Sequence, residues 1–373
     1  LKITQDLIRA PSPNPPGDVR NVANVIGRIL EKENIETNIL DVNEKQCNVV
    51  AVLEGTGPGK TMWYNGHMDV VPPGSGWSYD PWEGRFVDGK IYGRGASDMK
   101  GGLAALIGSL LALKRAGCPF NGKIFFTAVA DEETGSDNGT VWLIRHKGLS
   151  ADYAIVAEPS DGWIAIGNRG LIWIEVVIKG KAAHGSRPDL GINAIQNAAR
   201  AIAAIAEMRF EKRNELFLIP TGSIATTMIH GGIKENVIPD RCTFVIDRRL
   251  LPDENVDGAV DDIRNVLSAA IQDEAEFELR IIKAWPPVLI DEQHELVTSL
   301  VRAFERVYGY RPPIRGKAGS TDASFIWGLA RTPVVLYGPG PINVAHMADE
   351  YVELESVVKA AEIYTLTTLS LLK

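Results

Sequence analysis

Residues 101–133 read GGLAALIGSLLALKRAGCPFNGKIFFTAVADEE. Gly101 to Arg115 is small and apolar with no proline, so it reads as a helix. Lys123 to Ala130 is an apolar run of strand length, and it ends on three acids, Asp131, Glu132 and Glu133. Similar runs bounded by glycine and polar residues lie at Asn48 to Leu53, Thr61 to Asn65 and Tyr153 to Ala157. Strands that alternate with a helix predict an α/β domain with a mostly parallel sheet and helices on both faces.

Outward from this stretch, residues 3–9 and 19–33 carry apolar positions at helical spacing, separated by the proline- and glycine-rich turn Pro11 to Gly17. Around residue 169 the pattern changes. Leu171 to Lys179 alternates as a half-buried strand, Asn193 to Met208 reads as an Ala/Ile helix, and Cys242 to Leu250 alternates again. Val260 to Ile271 reads as a second helix and Phe277 to Ile282 as another strand, an order that fits a small α+β domain of ferredoxin-like type. After Trp285-Pro286-Pro287 the α/β pattern returns, with helices near His294 to Tyr308 and Glu355 to Leu372 around the strand Pro333 to Tyr337. The predicted organisation is a catalytic domain of residues 1–168 and 286–373, interrupted by an inserted domain of residues 169–285.

Composition narrows the class. The 373 residues are 45% hydrophobic and 23% charged, ordinary for a globular chain of about two domains. With 39 Lys and Arg against 47 Asp and Glu, the net charge of -8 offers no basic field for a phosphate backbone, so nucleic acid is not an expected partner. Cys47, Cys118 and Cys242 stand singly, without metal-type spacing, which fits a reducing compartment and a cytoplasmic setting. No apolar run approaches the ~20 residues of a membrane helix, and no membrane association is expected.

Five segments carry ligand-type residues. In His67-Met68-Asp69, positions two apart on a strand point the same way, so Asp69 is placed to support His67, although both also fit a solvent-facing strand end. The loop Tyr92 to Gly102 is glycine-rich and leads into a helix, yet it lacks the spacing of either nucleotide fingerprint, and Asp98 also fits an N-cap. Asp131-Glu132-Glu133-Thr134-Gly135 crowds like charges after an apolar strand, which calls for a cation, a shared proton or a solvated turn. Glu158-Pro159-Ser160 and Ala345-His346-Met347-Ala348-Asp349-Glu350 again follow a strand or a glycine turn. All five fall where strands of the α/β portion end, the place where open sheets build their sites. Histidines and carboxylates together suit borderline metals such as Zn²⁺, and a pair of such ions shares a bridging carboxylate and a water. Nucleophilic serine chemistry fits less well, since neither Ser160 nor Ser320 sits in Gly-x-Ser-x-Gly.

Gly66 to Val70, Gly93 to Gly102, Asp131 to Gly135, Glu158 to Ser160 and Gly338 to Glu350 resemble, in order, the signatures of the co-catalytic dizinc peptidases and deacylases. That family includes acetylornithine deacetylase, succinyl-diaminopimelate desuccinylase, aminoacylase and carboxypeptidase G, and the likeness spans essentially the whole chain. The resemblance implies two Zn²⁺ per chain, with Co²⁺ or Mn²⁺ able to substitute. It makes His67 and Glu158 ligands of one ion, Glu133 and His346 ligands of the other, and Asp98 the bridge. Asp69 then orients His67, and Glu132 is the general base for an activated water.

The resemblance also makes the inserted domain a dimerisation and lid element. Lys181 to Pro188 resembles the segment that supplies a histidine, here His184, to the neighbouring subunit's site; a solvated surface histidine is the plainer reading. Asn236 and Arg249 are implied to contact substrate. A guanidinium suits a carboxylate, while a strand-face ion pair suits Arg249 equally. Gly319, Ser320 and Thr321 resemble a loop lining the acyl region. The expected activity is removal of the acyl group from an N-acyl-L-amino acid, of the acetylornithine deacetylase or succinyl-diaminopimelate desuccinylase type, by a homodimer. The alternatives are a metallo-exopeptidase, a dipeptidase or carboxypeptidase acting on short peptides, and a non-catalytic small-molecule binding protein of the same fold.

Overall fold

The computed structural model describes residues 1–272 and 274–373. They divide into two compact units, Leu1–Gly167 with Leu289–Arg315 and Thr321–Lys373, and Asn168–Val288 with Gly316–Ser320.

The first unit is built on a mixed sheet. Seven of the nine strands of this sheet run in the order Glu36–Asp41, Cys47–Glu54, Lys123–Val129, Thr61–His67, Tyr153–Val156, Val334–Leu336 and Ile164–Asn168. The four from Lys123–Val129 to Val334–Leu336 are mutually parallel, and the flanking strands pair antiparallel. Tyr153–Val156 and Val334–Leu336 are buried at every position, as strands covered on both faces must be, which is why they read as apolar runs. The edge strand Glu36–Asp41 has no buried position and no such run, and apolar patterning did not reveal it.

The helix Gly101–Arg115 is buried at most positions and packs against Leu354–Leu371. With the preceding turn it forms Ala96–Arg115, the one helical stretch among the described residues long and apolar enough to cross a membrane; 83% of its most apolar 18-residue window is buried inside the fold, which marks a core helix.

The second unit has a four-stranded antiparallel sheet in the order Ser223–Gly231, Arg241–Leu250, Gly170–Lys179, Glu276–Trp285. In chain order the elements run strand, helix, strand, strand, helix, strand, the ferredoxin-like arrangement. Arg241–Leu250 alternates strictly between buried and more exposed positions. Its inward residues Phe244 and Ile246 join Ile172, Ile174 and Val176 in one core with Ala198, Ala201, Ile263 and Leu267 of the helices Ala194–Ala206 and Val256–Ala270. Asn193 and Asn255 cap these helices by accepting from the backbone N–H groups of Gln196 and Gly258. The unit's limits lie within three residues of 169 and 285, but it also takes in Gly316–Ser320. That segment is tied to Arg169, whose N–H donates to Lys317 O at 3.1 Å and whose Nε donates to Ala318 O at 3.0 Å.

Candidate metal centre

Parallel neighbours end on the same side of a sheet, so residues that follow them are brought together whatever their distance in sequence. His67 closes Thr61–His67, Glu132 and Glu133 form the turn Glu132–Thr134 just after Lys123–Val129, and Glu158 lies two residues beyond Tyr153–Val156. His346 comes from the loop after Val334–Leu336, in the left-handed backbone region at φ 65° that non-glycine residues seldom adopt.

Asp98 departs from the strand-end pattern. It follows Lys90–Tyr92, a strand of a separate three-stranded sheet, and leads into Gly101–Arg115. It is not an N-cap, because no side chain caps that helix.

Two triads result. His67 Nε2 lies 3.1 Å from Asp98 Oδ1 and 3.6 Å from Glu158 Oε1. His346 Nε2 lies 3.4 Å from Asp98 Oδ2 and 3.3 Å from Glu133 Oε2. Within each triad the candidate donor atoms fall within 4.8 Å of one another. For bonds of about 2.0–2.1 Å to a tetrahedral ion, neighbouring donors are separated by roughly 3.4 Å, so these spacings fit the edges of two coordination shells. Asp98 gives one oxygen to each. Glu133 Oε1 is buried without a hydrogen-bond partner, an orphan acceptor of the kind a cation satisfies. Glu132 belongs to neither triad.

The electrostatics match this crowding. Burial, reinforced by the charge of Glu158, pushes the Glu132 carboxyl well above its ordinary range. Burial also raises Glu133, against the hydrogen bond from His346. Behind them Asp322, buried and accepting from Ser136 Oγ at 2.6 Å, is pushed up to about 6 by burial. His346 is raised to about 10 by its hydrogen bonds to Asp98 and Glu133.

Asp69 supports His67 differently from the expected carboxylate contact. The ring Nδ1 is 2.8 Å from the backbone oxygen of Asp69 and 3.7 Å from its carboxylate. The buried carboxylate turns instead to the acidic turn, accepting from Glu132 N and Glu133 N at 3.2 Å each and from Asn14 Nδ2 at 2.8 Å.

Glu350 holds the loop that carries Asp98. Its buried carboxylate accepts from Arg94 Nη1 at 2.5 Å, Gly95 N at 3.0 Å, and Ser97 N and Asp98 N at 2.9 Å each. The signal available in sequence was an arginine inside a glycine-rich loop that lacks the spacing of a nucleotide fingerprint.

In the second unit His184 and Asn236 come together. Ala183–His184 pairs with Val237–Ile238, and Gly185 N donates to Asn236 O at 2.7 Å. His184 is exposed, and its Nδ1 accepts from Ser186 N at 3.2 Å, which leaves the ring proton on Nε2. Arg249 pairs with Asp247 through Nε at 2.7 Å and Nη2 at 2.9 Å. Gly319 and Ser320 belong to this unit and Thr321 to the first; Ser320 Oγ donates to Arg169 O at 2.8 Å.

The sequence profile of peptidase family M20/M25/M40 matches residues 63–370. A probable succinyl-diaminopimelate desuccinylase of Staphylococcus aureus is 30% identical over 385 residues, covering 95% of this chain and 93% of that protein. A succinyl-diaminopimelate desuccinylase of Methylobacterium radiotolerans is 29% identical over 378 residues, covering 98% and 94%. Among solved structures, the aminopeptidase PepT of Bacillus cereus superposes with a TM-score of 0.80 at 22% identity, covering 99% of this chain and 97% of that one. An M20 family metallo-carboxypeptidase of Sulfolobus solfataricus does so with 0.80 at 21% identity, covering 98% of each.

Proposed function

This chain belongs to peptidase family M20/M25/M40, and on that premise we propose that it removes the acyl group from an N-acyl-L-amino acid at a two-zinc centre. It is a metal-dependent hydrolase of amide bonds. The observation that carries the two-metal reading is Asp98, whose two carboxylate oxygens face two separate His and Glu pairs. His67, Asp98 and Glu158 would hold one ion, and Asp98, Glu133 and His346 the other. Two ions held there would supply Lewis acidity toward the amide carbonyl and toward a water nucleophile.

The chain's own groups do the rest. Glu132 is held beside the ligands but outside both triads, and its raised pKa suits a base that accepts a proton from the attacking water and returns it to the leaving nitrogen. His184, with its proton on Nε2, serves as a donor to the carbonyl oxygen as charge develops there. Arg249 exchanges its pairing with Asp247 for the substrate carboxylate, with Asn236, Gly319, Ser320 and Thr321 as further substrate contacts.

The second unit is the dimerisation and lid domain of this reading. Its edge strand Ser223–Gly231 exposes Met228 and Ile229, with Ile233 85% exposed just beyond, apolar surface that a second copy would cover. A cytoplasmic setting belongs to the same proposal.

N-succinyl-diaminopimelate is the leading substrate, supported by the curated relatives of that name, with N-acetylornithine second. The test is amine release by zinc-loaded protein from a panel of N-acyl amino acids and dipeptides. A higher kcat/KM on dipeptides than on every N-acyl amino acid overturns the deacylase assignment.

A further inference from the structure

The turn that joins the first two helices lies outside the matched family segment, 63–370, and carries no ligand, yet it is fastened to three of the ligand-bearing loops. Ser12 Oγ donates to Met68 O at 2.7 Å, Asn14 N donates to Val70 O at 2.8 Å, and Val70 N returns a bond to Ser12 O at 3.1 Å. The buried Lys100, two residues past Asp98, donates from Nζ to Ala10 O at 2.8 Å.

Within this strap one side chain reaches the metal centre's supports. Asn14 is buried, and its Nδ2 donates both to Asp69 Oδ2 at 2.8 Å and to Thr134 Oγ1 at 3.1 Å. Both bonds bear on the acidic turn. Thr134 is its last residue, and Asp69 is the acceptor for the backbone N–H groups of Glu132 and Glu133. An amide that donates two hydrogen bonds at once fixes the orientation of the buried Asp69 carboxylate, and that carboxylate fixes the backbone of the two glutamates. Asp131 at the head of the turn is in the left-handed region at φ 67°, a conformation that persists only where its surroundings hold it.

We propose that Asn14 is a positioning residue for the acidic turn: through Asp69 and Thr134 it sets Glu133 for its metal ion and Glu132 for proton transfer. This rests on the two-metal reading of the site. Outer partners of metal ligands typically contribute about 10- to 100-fold in metal affinity. Removal of the Asn14 amide should therefore weaken the ion shared by Asp98, Glu133 and His346 by about tenfold and leave the ion on the His67 side nearly unchanged.

The experiment is a stepwise Co²⁺ titration of metal-free wild type, Asn14→Ala, Asn14→Asp and Ser12→Ala, followed by visible absorption. His346→Ala marks which step belongs to the Glu133 side, and circular dichroism checks the fold. Asn14→Ala should weaken that step alone, Asn14→Asp should weaken it further by facing Asp69 with a second carboxylate, and Ser12→Ala, which loosens the strap without touching Asp69, should stay within about twofold of wild type. If Asn14→Ala does not fold, the isosteric Asn14→Asp decides. Wild-type affinities for both ions in the Asn14 variants overturn the proposal, as does an equal loss in Ser12→Ala or a loss confined to the His67 side. A wild-type chain that does not take up two ions overturns the two-metal reading itself, and the positioning role with it.

Discussion

Two imidazoles stand among the carboxylates of Asp98, Glu132, Glu133 and Glu158, and in the metal-free chain protons supply the balancing charge. His346 is held up to about 10 by Asp98 and Glu133. Burial works against the His67 imidazolium, yet the hydrogen bond to Asp98 and the charges of Glu132, Asp98 and Asp69 raise it well above its ordinary value. At neutral pH an ion that binds through the His346 imidazole must displace its proton. Calorimetric titration of Zn²⁺ in two buffers of different ionisation heat should show net proton release, and affinity should rise between pH 6 and pH 8. Uptake without proton release would contradict the ligand assignment. The sign carries over to stability. A histidine raised from 6.5 to about 10 on folding contributes fully below 6.5, and that contribution is lost as pH rises through its folded value. Glu132 and Glu133, also raised, favour low pH in the same sense. The gain in Tm on adding Zn²⁺ should therefore grow with pH.

Between elements, two glycines make the close approach that sets the strand ends. A Cβ at Gly102 would lie 2.0 Å from Ala157 O, and one at Gly338 would lie 2.2 Å from the same oxygen. The start of Gly101–Arg115 and the turn after Val334–Leu336 thus press on the carbonyl just before Glu158. Gly102→Ala should push the helix off the strand end, lowering stability by about 1–3 kcal/mol and weakening the ion proposed to bind at Glu158. Urea unfolding of the metal-free chain and Co²⁺ uptake read the two effects; wild-type values in both would show that the contact relaxes freely. The same element was plain in the sequence, since a proline-free apolar run of fifteen residues has few other uses. Glu36–Asp41 was not, because a strand with no buried position lacks the pattern that apolar periodicity reads.

At the scale of the whole molecule, the proposed donor His184 is an exposed residue of the second unit, and its delivery by a partner copy, in the proposed dimer, would make activity a property of the dimer. Glu132→Ala and His184→Ala should each be nearly inactive, Glu132→Ala while keeping its metals, with a loss of about 10² to 10⁴ in kcat. Unfolded and refolded together in equal amounts, they should regain roughly a quarter of wild-type activity, since half the dimers are mixed and each has one intact site. No recovery despite mixed dimers, shown by differently tagged chains, would place His184 in its own chain's site or outside catalysis. A His184→Ala chain that is nearly fully active would identify a merely solvated histidine.

The sequence by itself determined the class of architecture and the candidate ligand types, because burial on both faces of a strand and donor chemistry are both local properties of the chain. His67, Glu133, Glu158 and His346 were visible as ligand-type residues beside strands. Only the tertiary structure decided how they are shared and held. The parallel register of four strands brings His67 within reach of Glu158 and Glu133 within reach of His346, and the loop that carries Asp98 sets it between the pairs. It also decided that Asp69 serves the acidic turn with its carboxylate, and that Glu350 and Asn14 support the site across 252 and 55 residues of chain. Those bonds join side chains to backbone groups or to one another over long separations. They depend on where the chain returns in space, which no local pattern encodes.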